Sequence, residues 1–388
     1  MARRSPNFRI TFFGLISLAM AMGIGRFAFT PLLPMMLQEG LVSIIDGGWL
    51  ASAHFLGYWL GAVLVTRIPC PPKMMLRLSV LTIGVSTVAM GVTEEFAVWL
   101  FLRWLCGVAS AWTLVLVSHY YVKHLADHGR TELQGWMFSG VGAGILVAGL
   151  GCLVFMIVEI GSSLSWQILG AASVLAAAVL SRSMGPEIPA TRATVHRGEA
   201  QRSTLDWRAI IAYGAMGFGY IVPATYLPVM ARGMVPSPEM FGWIWPVFGA
   251  AAFASTLVAA SLHKRYSNRQ IWAASQAVMA AGLLLPVLYP HILTVIAAGI
   301  AVGGTFMIIT MAGVKEANRL APPEDVMRHI AVMTVSFASG QMIGPAFAGA
   351  VHDLTQSFAV ALIVTSAALV ITALILVDGP FNRKAVQR

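Results

Sequence analysis

Ionisable residues are scarce in this chain: Asp, Glu, Lys and Arg make up 11% of its 388 residues, where a soluble globular chain carries roughly 25%. That deficit excludes a water-soluble domain. Cysteine is scarcer still. Cys70, Cys106 and Cys152 are too few and too scattered for a disulfide framework or a metal site. Acids are missing from the middle of every apolar run: Glu39, Asp46, Glu94, Glu95, Glu159, Glu239 and Asp353 fall at one set of run ends, and the other nine at the opposite ends. Catalytic signatures are missing as well. Gly142-Ala143-Gly144 resembles a dinucleotide loop only in its letters, because it lies inside an apolar run rather than at a strand-to-helix turn. No enzyme activity, metal or cofactor is expected.

What the chain has is length of apolar sequence. Hydrophobic residues make up 58% of it, and they gather into twelve runs at about 10–37, 46–66, 74–93, 95–120, 133–158, 163–181, 207–231, 241–262, 270–290, 292–316, 326–350 and 356–378. Each suits a bilayer whose hydrocarbon core needs about 20 helical residues. Arg3, Arg4 and Arg9 precede the first run, but no convincing small-residue cleavage site follows, so that run is read as an uncleaved span. Of the 25 Lys and Arg, 22 fall at the termini or in alternate connections, and Arg232 alone falls in a connection of the opposite set. The formal charge of +9 therefore follows the positive-inside pattern rather than a nucleic-acid groove, and both termini are expected in the cytoplasm. The polar stretch 182–206, with Pro186, Pro189 and Gly198, is expected to be a cytoplasmic linker between halves 1–181 and 207–388.

The two halves repeat one another. Sliding the chain by 194 residues lays Met22, Gly23, Gly25, Leu33, Pro34 and Met36 over Met216, Gly217, Gly219, Leu227, Pro228 and Met230, and Gly48-Trp49 over Gly242-Trp243. At an offset of 200, Ser139-Gly140, Gly144 and Gly149 fall on Ser339-Gly340, Gly344 and Gly349. Parallel repeats imply a pseudo-twofold axis along the membrane normal and a substrate site near the midplane between them. Gly23, Gly25, Pro31 and Pro34, with Gly217, Gly219 and Pro228, are expected to thin and bend the first helix of each half. Gly140 and Gly144, with Gly340, Gly344 and Pro345, are expected to form close-packing faces on which the halves rock.

Two cations remain inside apolar runs, Arg26 and Arg103. At 1.5 Å per residue they lie ~16 and ~12 Å from the outer run ends, close enough to share a level. An intramembrane arginine is costly, and usually faces a bundle interior or a watery cavity. With no acid at their depth, a bound anion would balance them, and a planar guanidinium grips carboxylate or phosphate oxygens bidentately. The competing reading is that each arginine binds backbone carbonyls exposed near Gly or Pro. Tyr220, the repeat counterpart of Arg26, is expected beside it, with Tyr58 and Gln341 as further polar groups shaping the site. His54 and His119 are the candidate proton carriers, since no buried carboxylate is at hand.

Twelve spans in two parallel halves joined by a basic linker resemble the major facilitator superfamily over the whole chain. The stretch Gly-Ile-Gly-Arg-Phe-Ala-Phe-Thr-Pro-Leu-Leu-Pro at 23–34 resembles the first-helix signature of the YbfB/YjiJ-type transporters, and Arg103 with Gly107 and Ala111 resembles the superfamily's Arg-x-x-x-Gly element. The loop after the second span departs from the pattern: Val65 stands where an acid is usual four residues after Gly61. The resemblance implies an all-α integral membrane fold, alternating access, spans one and four lining a shared cavity, a competent monomer and a bacterial inner membrane. The expected function is secondary transport of a small organic anion by alternating access, with protons as the coupling ion. The alternatives are an exporter of amphiphilic or drug-like compounds and a membrane sensor that moves no solute.

Overall fold

The computed structural model describes residues 6–65, 68, 70–130, 132–183, 205–235, 237–262, 265–321 and 325–377. Most of the expected linker, 184–204, lies outside the described residues. Among the described residues twelve long helices follow in order: α1 at Asn7–Gln38, then α2 Ile44–Leu64, α3 Pro72–Met90, α4 Phe96–Leu116, α5 Glu132–Ile157, α6 Ser162–Ser183, α7 Trp207–Met234, α8 Ile244–Leu262, α9 Asn268–Leu288, α10 Ile292–Leu320, α11 Val326–Thr355 and α12 Ala359–Val377. Among the described residues, eleven helical units are long and apolar enough to cross a membrane. The one that falls short is α2, whose Asp46, His54, Tyr58 and glycines dilute its hydropathy, although its 21 residues reach ~31 Å. Val147, Leu175 and Leu374 on outward faces are more than half exposed, as suits a lipid solvent.

Local chemistry places the helix starts. Ser43 and Asp46 form a capping box at α2, Ser267 and Gln270 form another at α9, and Asp206 accepts from the Arg208 and Ala209 amides at α7. Gly40 takes φ +71°, which reverses the chain between α1 and α2 without a Cβ clash. At the side where α7 begins and α10 ends, buried Arg269 binds both Asp206 and Glu316, and Arg319 binds Glu316 at 2.7 Å, tying α7, α9 and α10 together.

The glycine faces divide their work differently from the expectation. A Cβ on Gly23 would lie 2.3 Å from the Gly144 backbone, and one on Gly140 2.2 Å from the Leu15 carbonyl, so these positions press α5 onto α1 within the first six helices. Gly217 and Gly340 do the same for α7 and α11: their Cβ atoms would meet the Phe337 and Gly214 carbonyls at 2.2 and 2.3 Å. The seam between the first six helices and the last six uses other positions. Gly142 and Gly149 of α5 face Phe253 and Pro246 of the α8 region, while Gly48 of α2 faces the Pro345 carbonyl of α11. Residues 140 and 144 share one side of a 3.6-residue helix and 142 and 149 another, so one glycine-rich helix serves both contacts.

Toward the end of the molecule where α1 finishes, further contacts close the seam. Thr30 Oγ1 donates to the Ala224 carbonyl at 2.9 Å, Tyr226 Oη reaches the Ile44 carbonyl at 3.4 Å, and Arg232 Nη1 donates to the Pro34 carbonyl at 2.8 Å. Beside Arg232 lies a cavity of about 670 Å³ walled mainly by apolar side chains of α1, α7, α9 and α12.

Candidate functional site

The site begins with an irregularity in α1. From Ala19 to Arg26 the helix widens into a π form, with the Phe27 amide reaching back five residues to the Met22 carbonyl at 3.2 Å. The next helical stretch, Phe29–Gln38, contains Pro34, and Pro31 in its first turn has no amide proton to give to Phe27. The Thr30 amide bonds to the Phe27 carbonyl instead of to that of Arg26. The Met22 and Ile24 carbonyls still accept from the Phe27 and Ala28 amides, which leaves the Gly25 and Arg26 carbonyls to take donors from a neighbour.

That neighbour is α4. Arg103 Nη1 donates to the Gly25 carbonyl at 3.0 Å, Nη2 to the Arg26 carbonyl at 3.4 Å and Nε to the Leu50 carbonyl of α2 at 3.5 Å. Cys106 Sγ also reaches the Gly25 carbonyl, and Ser110 Oγ the Ala21 carbonyl at 3.1 Å. Phe29 covers the Arg103 guanidinium at 4.7 Å. Arg103 is thus turned to backbone oxygens, the competing reading of the sequence, and does not join Arg26 around a common opening. The reason is the π segment, which creates carbonyls that a regular helix would have satisfied.

Arg26 has the opposite surroundings. It is 6% exposed, donates through Nη2 to the Tyr220 hydroxyl of α7, and approaches the Met22 thioether at 3.8 Å through Nη1. Its Nε has no hydrogen-bond partner among the described residues. Phe27, Phe55, Tyr58 and Tyr220 present rings to its Cζ at 5.0, 4.8, 5.3 and 5.9 Å, which supports a cation but does not neutralise it. Among the described residues no carboxylate pairs with Arg26. Gln341 of α11 donates to the same Tyr220 oxygen at 2.5 Å.

The cross-seam bonds reproduce the repeat register. Arg26 meets Tyr220, and Thr30 meets Ala224, both pairs 194 residues apart. Two copies related by a twofold bring equivalent residues together only at the axis. Arg26 and Tyr220 therefore mark that axis at mid-depth, one cationic and one neutral.

Of the expected residues, the structure brings together Arg26, Tyr220, Tyr58 and Gln341. His54 is fully buried against α4, with neither ring nitrogen completing a hydrogen bond to another side chain, and its backbone carbonyl would lie 1.9 Å from a Cβ on Gly107. His119 has its backbone in the π segment Val117–Tyr121, and its side chain lies outside the described residues. Gly25 packs on Ile83 and Cys106, Gly219 on Leu369, Gly344 on Ile221, and Pro228 lies inside α7. Phe306 and Phe337, which stack on Tyr220, and Cys106 and Ser110, which bind α1, escaped the sequence reading. The last two carried a signal: three and seven residues after Arg103, they share its helical face.

Comparison with known proteins agrees with this architecture. A sequence model of the family described as "Uncharacterised MFS-type transporter YbfB" matches residues 18–377. Among solved structures, a point mutant of the nucleoside transporter NupG superposes with a TM-score of 0.76 at 12% identity, over 95% of this chain and 99% of that one. The D-xylose-proton symporter superposes with a TM-score of 0.76 at 13% identity, over 96% and 97%. A bacterial homologue of the human lysosomal transporter Spinster, captured inward-facing and occupied, gives 0.70 at 14% identity over 96% and 94%. No curated protein matches the chain in sequence.

Proposed function

The chain belongs to the YbfB-type family of MFS transporters, and from that premise we propose that it carries a small organic anion by alternating access, with protons as the coupling ion. The observation that carries this reading is the Arg26 guanidinium, buried at the seam with no carboxylate among the described residues and with Nε unpartnered. A buried charge without a counter-ion is costly, and an anionic substrate supplies one. Arg26 is the anion anchor, Tyr58 and Gln341 shape its surroundings, and Arg103 positions Arg26 by holding the π carbonyls of α1. His54 is the candidate proton carrier, because it is a fully buried imidazole whose ring nitrogens have no hydrogen-bond partner among the described residues. In this reading the anion enters at Arg26 and the coupled proton at His54.

In this reading residues 1–181 and 207–388 move as two bodies, joined by 182–206, in a bacterial inner membrane with both termini cytoplasmic, and one copy is enough. Reporter fusions at the two ends and in the α7–α8 connection check the orientation. The decisive test is flux into proteoliposomes. Uptake of carboxylates should rise several-fold when the lumen is more alkaline than the medium, and Arg26→Gln should abolish it. Uptake indifferent to charge and to the pH gradient would sink the proposal. The second reading, export of amphiphiles, draws on the mainly apolar 670 Å³ cavity beside Arg232; it predicts flux of neutral amphiphiles that Arg26→Gln leaves intact.

A further inference from the structure

Tyr220 sits in a three-ring stack whose chemistry suggests which anion is carried, an inference that rests on the organic-anion reading above. It is 1% exposed. Phe306 of α10 and Phe337 of α11 flank it, with centroids 5.3 and 5.8 Å away and planes 6° from its own. The stack aims the phenol oxygen across the seam at Arg26, while Gln341 holds that oxygen from α11. A flat arene presenting one oxygen to an unbalanced guanidinium is what a bound aromatic carboxylate would itself present. The rest of the guanidinium stays underused: Nη1 meets only the Met22 thioether at 3.8 Å, and Nε has no hydrogen-bond partner among the described residues. A carboxylate that takes the place of the phenol on Nη2 can fill Nε at the same time, two parallel bonds where the phenol oxygen makes one, and it brings the neutralising charge that the phenol lacks.

The geometry points to Tyr220 as a resident stand-in for the substrate, a planar aromatic monocarboxylate that displaces the phenol oxygen from Arg26. An aromatic body fits because Phe27, Phe55 and Tyr58 all turn rings toward the guanidinium. Displacement also has a mechanical result. Arg26 belongs to α1 and Tyr220 to α7, so loading the anion breaks a hydrogen bond that joins the two six-helix sets at their axis. The empty carrier is bolted by its own tyrosine, and the loaded one is released.

The test uses the full-length protein in detergent with benzoate, cyclohexanecarboxylate and inorganic phosphate as probes. Wild type should bind benzoate at least tenfold more tightly than either of the others. Tyr220→Phe keeps the stack and removes the competing oxygen, so it should bind benzoate about tenfold more tightly than wild type, the scale of one hydrogen bond to a charged group. In case that variant does not fold, 3-fluorotyrosine placed at position 220 gives a fluorine resonance that should move at benzoate saturation. Weaker or equal benzoate binding by Tyr220→Phe, or an unmoved resonance at saturation, overturns the stand-in role. Equal affinity for benzoate and cyclohexanecarboxylate overturns the aromatic class and leaves the organic-anion reading standing. A protein that neither binds nor transports any carboxylate loses both this inference and the function beneath it.

Discussion

Arg26 and Arg103 are both buried arginines in apolar helices, yet their substitutions should have opposite consequences. Arg103 supplies donors to the Gly25, Arg26 and Leu50 carbonyls, and unmade hydrogen bonds at buried groups cost about 1–3 kcal/mol each. Allowing for the relief of removing a buried charge, Arg103→Met should lower stability by about 2–4 kcal/mol, read as a fall in the thermal midpoint of the unliganded protein. Arg26 satisfies a single oxygen, that of Tyr220, which Gln341 also holds. Removing an unbalanced buried charge is often neutral or stabilising. Arg26→Gln should therefore leave the midpoint unchanged or raise it by the equivalent of about 1 kcal/mol, while carboxylate flux falls at least 100-fold. A midpoint that drops as far as in Arg103→Met would show that Arg26 is a strut as well. The sequence put both arginines in one class because their depth and their missing counter-ions look alike. What separates them is which arginine reaches the exposed carbonyls of α1: Gly25 and Pro31 signal that such carbonyls exist, but residue type does not say which neighbour takes them.

At the scale of elements, the twelve helices and the repeat could be read from the chain because apolar run length and Gly/Pro spacing are one-dimensional signals. The 194-residue offset even named the pair that touches, Arg26 and Tyr220, since symmetry mates at an axis must meet. The rotation of each helix was harder to see. Gly140 and Gly144 looked like rocking surfaces, but they press α5 onto α1, and Gly142 and Gly149 face α8 instead. An unbroken glycine stripe shows where backbones approach, without naming which of two neighbours approaches. The α1–α5 contact leaves no room for a methyl group, because a Cβ on Gly23 would stand 2.3 Å from Gly144. Gly23→Ala should therefore destabilise by about 1–3 kcal/mol. Gly135→Ala, in the same α5 but with nothing near its Cβ, should be neutral or stabilise by about 0.5–1 kcal/mol. Thermal midpoints of the two variants decide the matter, and equal rises would mean that helix propensity rather than the crossing governs both.

For the whole molecule, the cross-seam contacts from Arg26 outward through Thr30, Tyr226 with the Ile44 carbonyl, and Arg232 describe a structure closed at the end where α1 finishes. Alternating access requires that end to open, so each of these contacts must break once per cycle. Arg232 is the most accessible of them, and its bond to the Pro34 carbonyl at 2.8 Å joins α7 directly to α1. A partly solvated bond of this kind is worth about 1 kcal/mol, or roughly a fivefold change in the ratio of closed to open forms. Exposed Val92, just past α3, and exposed Leu354, near the end of α11, lie in different six-helix sets and suit spin labels. Wild type labelled at both should give mainly one short distance. Arg232→Gln should add a longer population, several-fold larger than any in wild type, and benzoate should enlarge it further if the Arg26–Tyr220 bond is the other half of the same seal. A distance distribution unmoved by either would mean that the helix crossings at Gly48 and Gly149 hold this end shut by themselves, and that the arginine is a bystander at the seam.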